Sequence, residues 1–231
     1  MILVAHGTRS AAGLSTISVI AEAVSQRVGP LRVAFVDVLG PNPAELLADA
    51  GEPAVVMPAF LAAGYHVHTD LPMRIAESGH VRTTVTRALG PDAVLAAVMR
   101  ERLRQAGWCP RDAVVMAAAG SSDLRARRDV YCAAKMLADL LGEVHLAFVA
   151  TGAPRVPDVT RLLRRAGRRR IFIAPYLLAE GLFHDCLSEC AATGVAAPLG
   201  AHPGVVDLIA ARFARVEHSG GALRAGVAVY D

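Results

Sequence analysis

Ala54-Val-Val-Met-Pro-Ala-Phe-Leu-Ala-Ala-Gly64 and Ile171-Phe-Ile-Ala-Pro-Tyr-Leu-Leu-Ala-Glu-Gly181 follow one pattern: a short apolar run, a proline, a second apolar run and a glycine. A short, continuous apolar run is how a strand reads when it is buried on both faces. The resemblance extends outward in order. Leu31-Arg-Val-Ala-Phe-Val-Asp37 matches Val144-His-Leu-Ala-Phe-Val-Ala150, and each leads through prolines into a helix-like run, Pro43-Ala-Glu-Leu-Leu47 and Pro157-Asp-Val-Thr-Arg-Leu-Leu163. Upstream, Ile2-Leu-Val-Ala-His6-Gly7 matches Val114-Val-Met-Ala-Ala-Ala119-Gly120, and downstream Leu89-Gly90 and Leu199-Gly200 each precede an apolar-periodic helix. Matched landmarks in one order mark an internal duplication. The copies meet near the polar turn Gly107-Trp-Cys-Pro-Arg-Asp112, which divides the chain into residues 1–108 and 109–231. Each half reads as strand, helix, strand, helix, strand, helix, short strand, helix. Right-handed crossovers then predict an α/β fold of two tandem doubly wound parallel sheets.

Composition narrows the function. Of 231 residues, 54% are hydrophobic, which excludes a disordered chain. The net charge of +3 is mild. The densest basic stretch, with Arg161, Arg164, Arg165 and Arg168 at helical spacing, reads as a solvated helix face, so no nucleic-acid partner is expected. Pro53 to Thr69, as long as any stretch without Asp, Glu, Lys or Arg, is interrupted by Pro58, His66 and His68; it reads as a buried strand and loop, with no membrane partner. Cys109, Cys132, Cys186 and Cys190 fit no zinc-ribbon spacing, and Met1 runs into Ile2-Leu3-Val4 without a basic start. Both features lead to the expectation of a cytoplasmic protein with reduced thiols. Both monomer and homo-oligomer are compatible with the sequence.

In doubly wound sheets ligands bind beyond the C-terminal strand ends. There the first half places His6 after strand one, Asp37 at the end of strand two, and His66 and His68 just past strand three. Imidazole ligates borderline divalent metals and moves protons near neutral pH. A lone histidine at a strand end is usually a hydrogen-bonded loop residue, whereas polar groups converging from separate strands suggest a site. The second half is an internal control: opposite His6, Asp37 and His66 stand Ala119, Ala150 and Phe183. The scaffold is repeated and the polar set is lost together, which predicts one active and one silent half. His184, Cys186 and Cys190 are read as structural, and Ser121 or Ser122 as the cap of the following helix.

These residues resemble a known family. Leu3-Val-Ala-His6-Gly7-Thr8-Arg9 is similar to the His-Gly-Ser/Thr-Arg start of the sirohydrochlorin chelatases, and Gly64-Tyr-His66-Val-His-Thr-Asp70-Leu71-Pro72 to their G-x-H-x-x-x-D-[IL]-P segment. Asp37 falls where the family usually carries Glu, and Leu89-Gly90-Pro91-Asp92 resembles the turn before the last helix of a half. The resemblance implies an ATP-independent enzyme that inserts a divalent metal, Fe²⁺ for siroheme, into sirohydrochlorin. The alternatives are a cobaltochelatase of cobalamin synthesis and a non-catalytic metal- or tetrapyrrole-binding protein. It further implies that His6 and His66 bind the metal and handle protons, and that Asp37 fills the carboxylate slot. Arg9, Gly7 and Gly64 would face the tetrapyrrole. The partners implied are sirohydrochlorin and the metal ion, with no cofactor beyond that substrate ion.

Overall fold

The computed structural model describes residues 1–51, 53–219 and 228–229. The first half runs β1 (Ile2–Ala5), α1 (Ala11–Val28), β2 (Arg32–Phe35), α2 (Pro43–Ala48), β3 (Ala54–Pro58), a π-helical turn (His66–Asp70), α3 (Leu71–Glu77), β4 (Thr83–Val85) and α4 (Ala93–Gln105). The second runs β5 (Ala113–Gly120), α5 (Leu124–Leu141), β6 (Val144–Thr151), α6 (Val156–Arg165), β7 (Ile171–Tyr176), α7 (Leu182–Asp185), a 3₁₀ turn (Cys186–Glu189), β8 (Gly194–Val195) and α8 (Pro203–Ser219). A last short strand, β9 (Ala228–Val229), joins the first sheet. All pairings are parallel, in the orders β2-β1-β3-β4-β9 and β6-β5-β7-β8. The chain therefore folds as two tandem doubly wound α/β sheets, and in each the topological switch lies between the first and third strands.

Local chemistry fixes the elements. Ser10 caps α1 by accepting from Gly13 N, and Gly29 at φ 87° ends it. Asn42 and Glu45 form a capping box on α2. At α5 the cap is neither expected serine. The helix begins at Leu124, so Asp123 holds the capping position and accepts from Arg125 N at 2.8 Å, while Ser121 Oγ accepts from Asp123 N. An ionised carboxylate also suits the helix N-terminal dipole.

Strand alternation assigns two faces to each sheet. Ile2 and Val4 point to an outer core under α2 and α3, with Leu46, Leu71 and Ile75; Leu3 and Ala5 point inward. In β5, Val115 and Ala117 join an outer core with Val156, Val159 and Leu163 of α6, while Val114 and Met116 point inward. The inward faces share one continuous core, which includes Leu3, Met57, Leu95, Met116, Phe172 and Phe213.

The final helices of the halves are exchanged. α4, from the first half, packs on α5 and β7 of the second, and α8 packs on α1 and β3 of the first. Polar contacts repeat the exchange: Arg212 of α8 reaches Asp92, the cap of α4, at 3.1 Å, and Arg102 of α4 donates to Leu199 O at 3.2 Å. No helix among the described residues is long and apolar enough to cross a membrane.

Candidate active site

The sheet switch point dictates what can meet. His6 leaves β1, and the loop after β3 leads into the π-helical turn that begins at His66. The two rings lie edge to face, with centroids 4.8 Å apart and planes at 84°. Phe60 stacks on His66 at 5.9 Å and meets His6 edge-on at 6.5 Å, so the pair stands on an aromatic wall. Tyr65, more than half exposed, flanks His66 at 5.7 Å.

Hydrogen bonds select the tautomers. His66 Nδ1 lies 3.2 Å from Asp70 Oδ2, and His6 Nδ1 lies 3.4 Å from Gly7 O. A carboxylate and a carbonyl can only accept, so Nδ1 carries the proton in both neutral rings and Nε2 keeps its lone pair. Asp70 is itself held by Arg74, whose Nε donates to Oδ1 at 3.4 Å. The chain Arg74–Asp70–His66 is a carboxylate–histidine arrangement of the kind that orients metal-binding imidazoles.

The other sequence-derived candidates fall around this pair. Asp37 sits beside His6 through the backbone, its N–H donating to His6 O at 3.0 Å. Its exposed carboxylate accepts Val38 N–H at 2.7 Å and hydrogen-bonds neither histidine. Gly7 has φ 95°, and a Cβ there would stand 2.1 Å from Asp37 O. Gly120, its counterpart in the second half, has φ 93° and would meet Thr151 O at 1.7 Å. Because the half with Ala119 and Phe183 in place of the histidine pair keeps the same glycine, close strand packing is sufficient reason for Gly7. A bulge in β6, where three residues span what two span in β5, makes Thr151, rather than Ala150, the residue facing that glycine. Arg9 is exposed on the same rim, just before the Ser10 cap. His68 is exposed beyond His66 and lines a separate cavity with Leu71.

Gly64 serves the loop after β3. A Cβ there would lie 3.0 Å from Ala126 Cβ, so the glycine lets the loop rest closely on α5. The second half tethers the same loop twice: Ala63 N donates to Asp129 Oδ2 at 2.7 Å, and Tyr176 OH donates to Leu61 O at 2.8 Å. Burial above all, and then the Asp129 charge, push the Tyr176 phenol far above its usual range, so it stays a neutral donor. Asp70, Asp129 and Tyr176 were not singled out in the sequence. Asp70 carried a signal, its i+4 spacing from His66; the other two are brought in only by the packing of the halves.

The corresponding rim of the second half lacks a histidine pair. Ala119 and Phe183 stand where histidines would, and His184 Nε2 lies 3.2 Å from Ala196 O. Cys190 is buried with Sγ 3.4 Å from Cys186 O, and burial first among the causes raises its thiol pKa. Among the described residues no three His, Cys, Asp or Glu side chains gather as a closed metal site. The arginines of α6 are spent locally: Arg161 pairs with Asp158, and Arg164 bonds the Arg169 and Ala191 carbonyls.

The CbiX family model matches the chain twice, over residues 1–106 and 113–216. The chain is 23% identical over 142 residues to a sirohydrochlorin ferrochelatase of Priestia megaterium (58% of this chain, 53% of that protein). It is 25% identical over 154 residues to a sirohydrochlorin cobaltochelatase of the same organism (62% and 50%). These matches span about half the length of the curated relatives. Among solved structures, SirB from Bacillus subtilis with Fe³⁺ superposes with a TM-score of 0.82 at 22% identity, covering 97% of this chain and 98% of that one. CbiX, described as the terminal enzyme for biosynthesis of siroheme in denitrifying bacteria, superposes with a TM-score of 0.69 at 24% identity (93% and 97%). At these identities the structural likeness speaks for the fold, and the family match covers both halves. The chain belongs to the CbiX family.

Proposed function

We propose that this chain is a sirohydrochlorin chelatase that inserts a divalent metal, with Fe²⁺ as the leading substrate ion. The observation that carries the reading is the His6–His66 pair, whose Nε2 lone pairs both remain open. Two imidazoles without a third ligand grip an ion loosely, which suits a metal that must be passed on. As the ion enters the ring, two pyrrole N–H protons must leave. An Nε2 relieved of the ion accepts one proton, and Asp37, exposed at the rim, accepts the other for release to solvent. Asp70 orients His66, Phe60 offers the flat ligand an apolar wall, and Arg9 faces its carboxylates. The ion is substrate, and these steps require no resident cofactor. Three exposed cysteines free of disulfides support placing the protein in the reducing cytoplasm.

Cobalt is the second reading, because imidazole accepts both ions and relatives named for each metal match at similar identity. The test is anaerobic insertion of Fe²⁺ and Co²⁺ into metal-free sirohydrochlorin, followed by absorbance. Turnover is expected, with His6→Ala and His66→Ala each lowering kcat by about 10²-fold or more. His184→Ala should leave the rate unchanged. Binding of metal or tetrapyrrole without turnover would make the protein a carrier instead.

A further inference from the structure

A cavity of about 530 Å³ opens beside the π-helical turn, between α3, the end of β4 and the start of α5. Leu71, Ile75 and Val85 form an apolar floor, and Arg87, Arg125 and Arg128 stand on its walls. The nearby carboxylates are mostly committed. Asp129 accepts the Ala63 N–H, and Asp123 caps α5 and pairs with Arg125 at 2.9 Å. The exposed side chains of Arg87 and Arg128 pair with no carboxylate among the described residues. The Arg87 charge is felt deeper in the fold: the Arg212 guanidinium is pushed below its usual range, first by burial and then by the positive Arg87. An apolar floor under unpaired guanidiniums fits an amphipathic carboxylate. Ala63 and Val67, which also line the cavity, belong to the segment that carries His66. The cavity therefore adjoins the segment that positions His66.

We infer that the cavity is a carboxylate subsite in which Arg87 and Arg128 hold an acidic side chain at the edge of the tetrapyrrole. The inference rests on the chelatase reading and adds to it which edge contact sets affinity. The same guanidiniums would also accept a free small carboxylate such as citrate, so the experiment separates the two sources. Dissociation constants for metal-free sirohydrochlorin are measured by fluorescence without metal, together with KM and kcat for insertion.

The double variant Arg87→Gln/Arg128→Gln should weaken sirohydrochlorin binding by at least about tenfold, as expected for loss of charge-assisted hydrogen bonds. KM should rise in parallel and kcat should stay within about twofold. Arg87→Lys/Arg128→Lys should recover most of the affinity. Arg161→Gln/Arg165→Gln, which removes equal charge from the remote α6, should change nothing; an equal loss there would show a general field and overturn the subsite. Wild-type protein that inserts metal but whose affinity ignores the Arg87/Arg128 change overturns the subsite alone. Wild-type protein that takes up no sirohydrochlorin overturns both the chelatase reading and the tetrapyrrole as the source of the carboxylate. Citrate affinity that falls in the Gln variant while sirohydrochlorin affinity holds would assign the cavity to a free acid and overturn the inference.

Discussion

His66 acts through a partner four residues away. Asp70 fixes the imidazole with its proton on Nδ1, and Arg74 fixes Asp70. Asp70→Asn can keep the size of the side chain but presents a weaker acceptor that can also turn its amide to the ring. Insertion should fall about 10–100-fold, the usual cost of losing the residue that orients a metal-binding histidine, while the melting temperature barely moves. Asp37→Asn should cost less, because that carboxylate touches only the Val38 N–H. Steady-state kinetics of the two variants side by side decide the order; a larger loss in Asp37→Asn would make Asp37 the more important carboxylate. His6, His66 and Asp37 stood out in the sequence because their counterparts in the repeat are apolar. Asp70 did not, because a carboxylate inside a motif looks the same whether it orients a ring or caps a helix, and only coordinates separate the two. Gly7 drew attention for the ligand, yet Gly120 shows the same backbone demand where no histidine stands. Gly7→Ala should therefore destabilise the fold by about 1–3 kcal/mol, read by denaturant unfolding, whatever it does to turnover.

Among the elements, the loop after β3 is held in place from the other half. Tyr176 and Asp129 hold Leu61 O and Ala63 N, and Gly64 lies against Ala126. Tyr176→Phe removes one buried hydrogen bond and leaves Leu61 O without that donor, a cost of about 1 kcal/mol. Because the freed loop leads into His66, kcat should drop by more than so small a loss of stability suggests. Parallel measurements of kcat and unfolding free energy test this; a kcat that holds while stability falls would make Tyr176 purely structural. The strands and helices themselves were legible. Apolar runs such as Ile171–Tyr176 and punctuation such as Gly29 mark them, and the duplication checked each half against the other. The cap of α5 was misplaced by a residue or two, since Ser121, Ser122 and Asp123 are all good caps and the choice depends on where the first helical turn closes.

Across the whole molecule, the repeat boundary and the packing boundary part company. The sequence divides at residues 108 and 109, but the apolar face of α4 is covered by the second half and α8 covers the first. Periodicity shows that a helix has an apolar face and is silent on which sheet that face covers. A fragment of residues 1–108 should consequently lack stable tertiary structure, seen as weak near-ultraviolet circular dichroism and early exchange of amides in β1 and β3. The junction adds a pH-dependent tie. Burial alone would raise the Asp112 pKa, but the Arg170 hydrogen bond, the Cys109 N–H and the Arg170 charge together outweigh it and hold the carboxyl below its usual range. A carboxyl depressed in the folded state stabilises above its unfolded pKa, and that contribution disappears as pH falls through the folded value. Wild type should thus melt above Asp112→Asn at neutral pH, and the gap should close in acid below the ordinary aspartate range. A gap independent of pH would show that Asp112 contributes by packing alone.

The traded helices make the peptide link between the halves mechanically redundant. A protease cut within Gly107–Asp112 would sever the chain, yet each piece would still grip the other through a helix embedded in its partner's core. The nicked protein should migrate as one particle in native size-exclusion chromatography and separate only in denaturant. The second half can therefore carry Ala119 and Phe183 in place of the histidine pair and still do duty as a clasp.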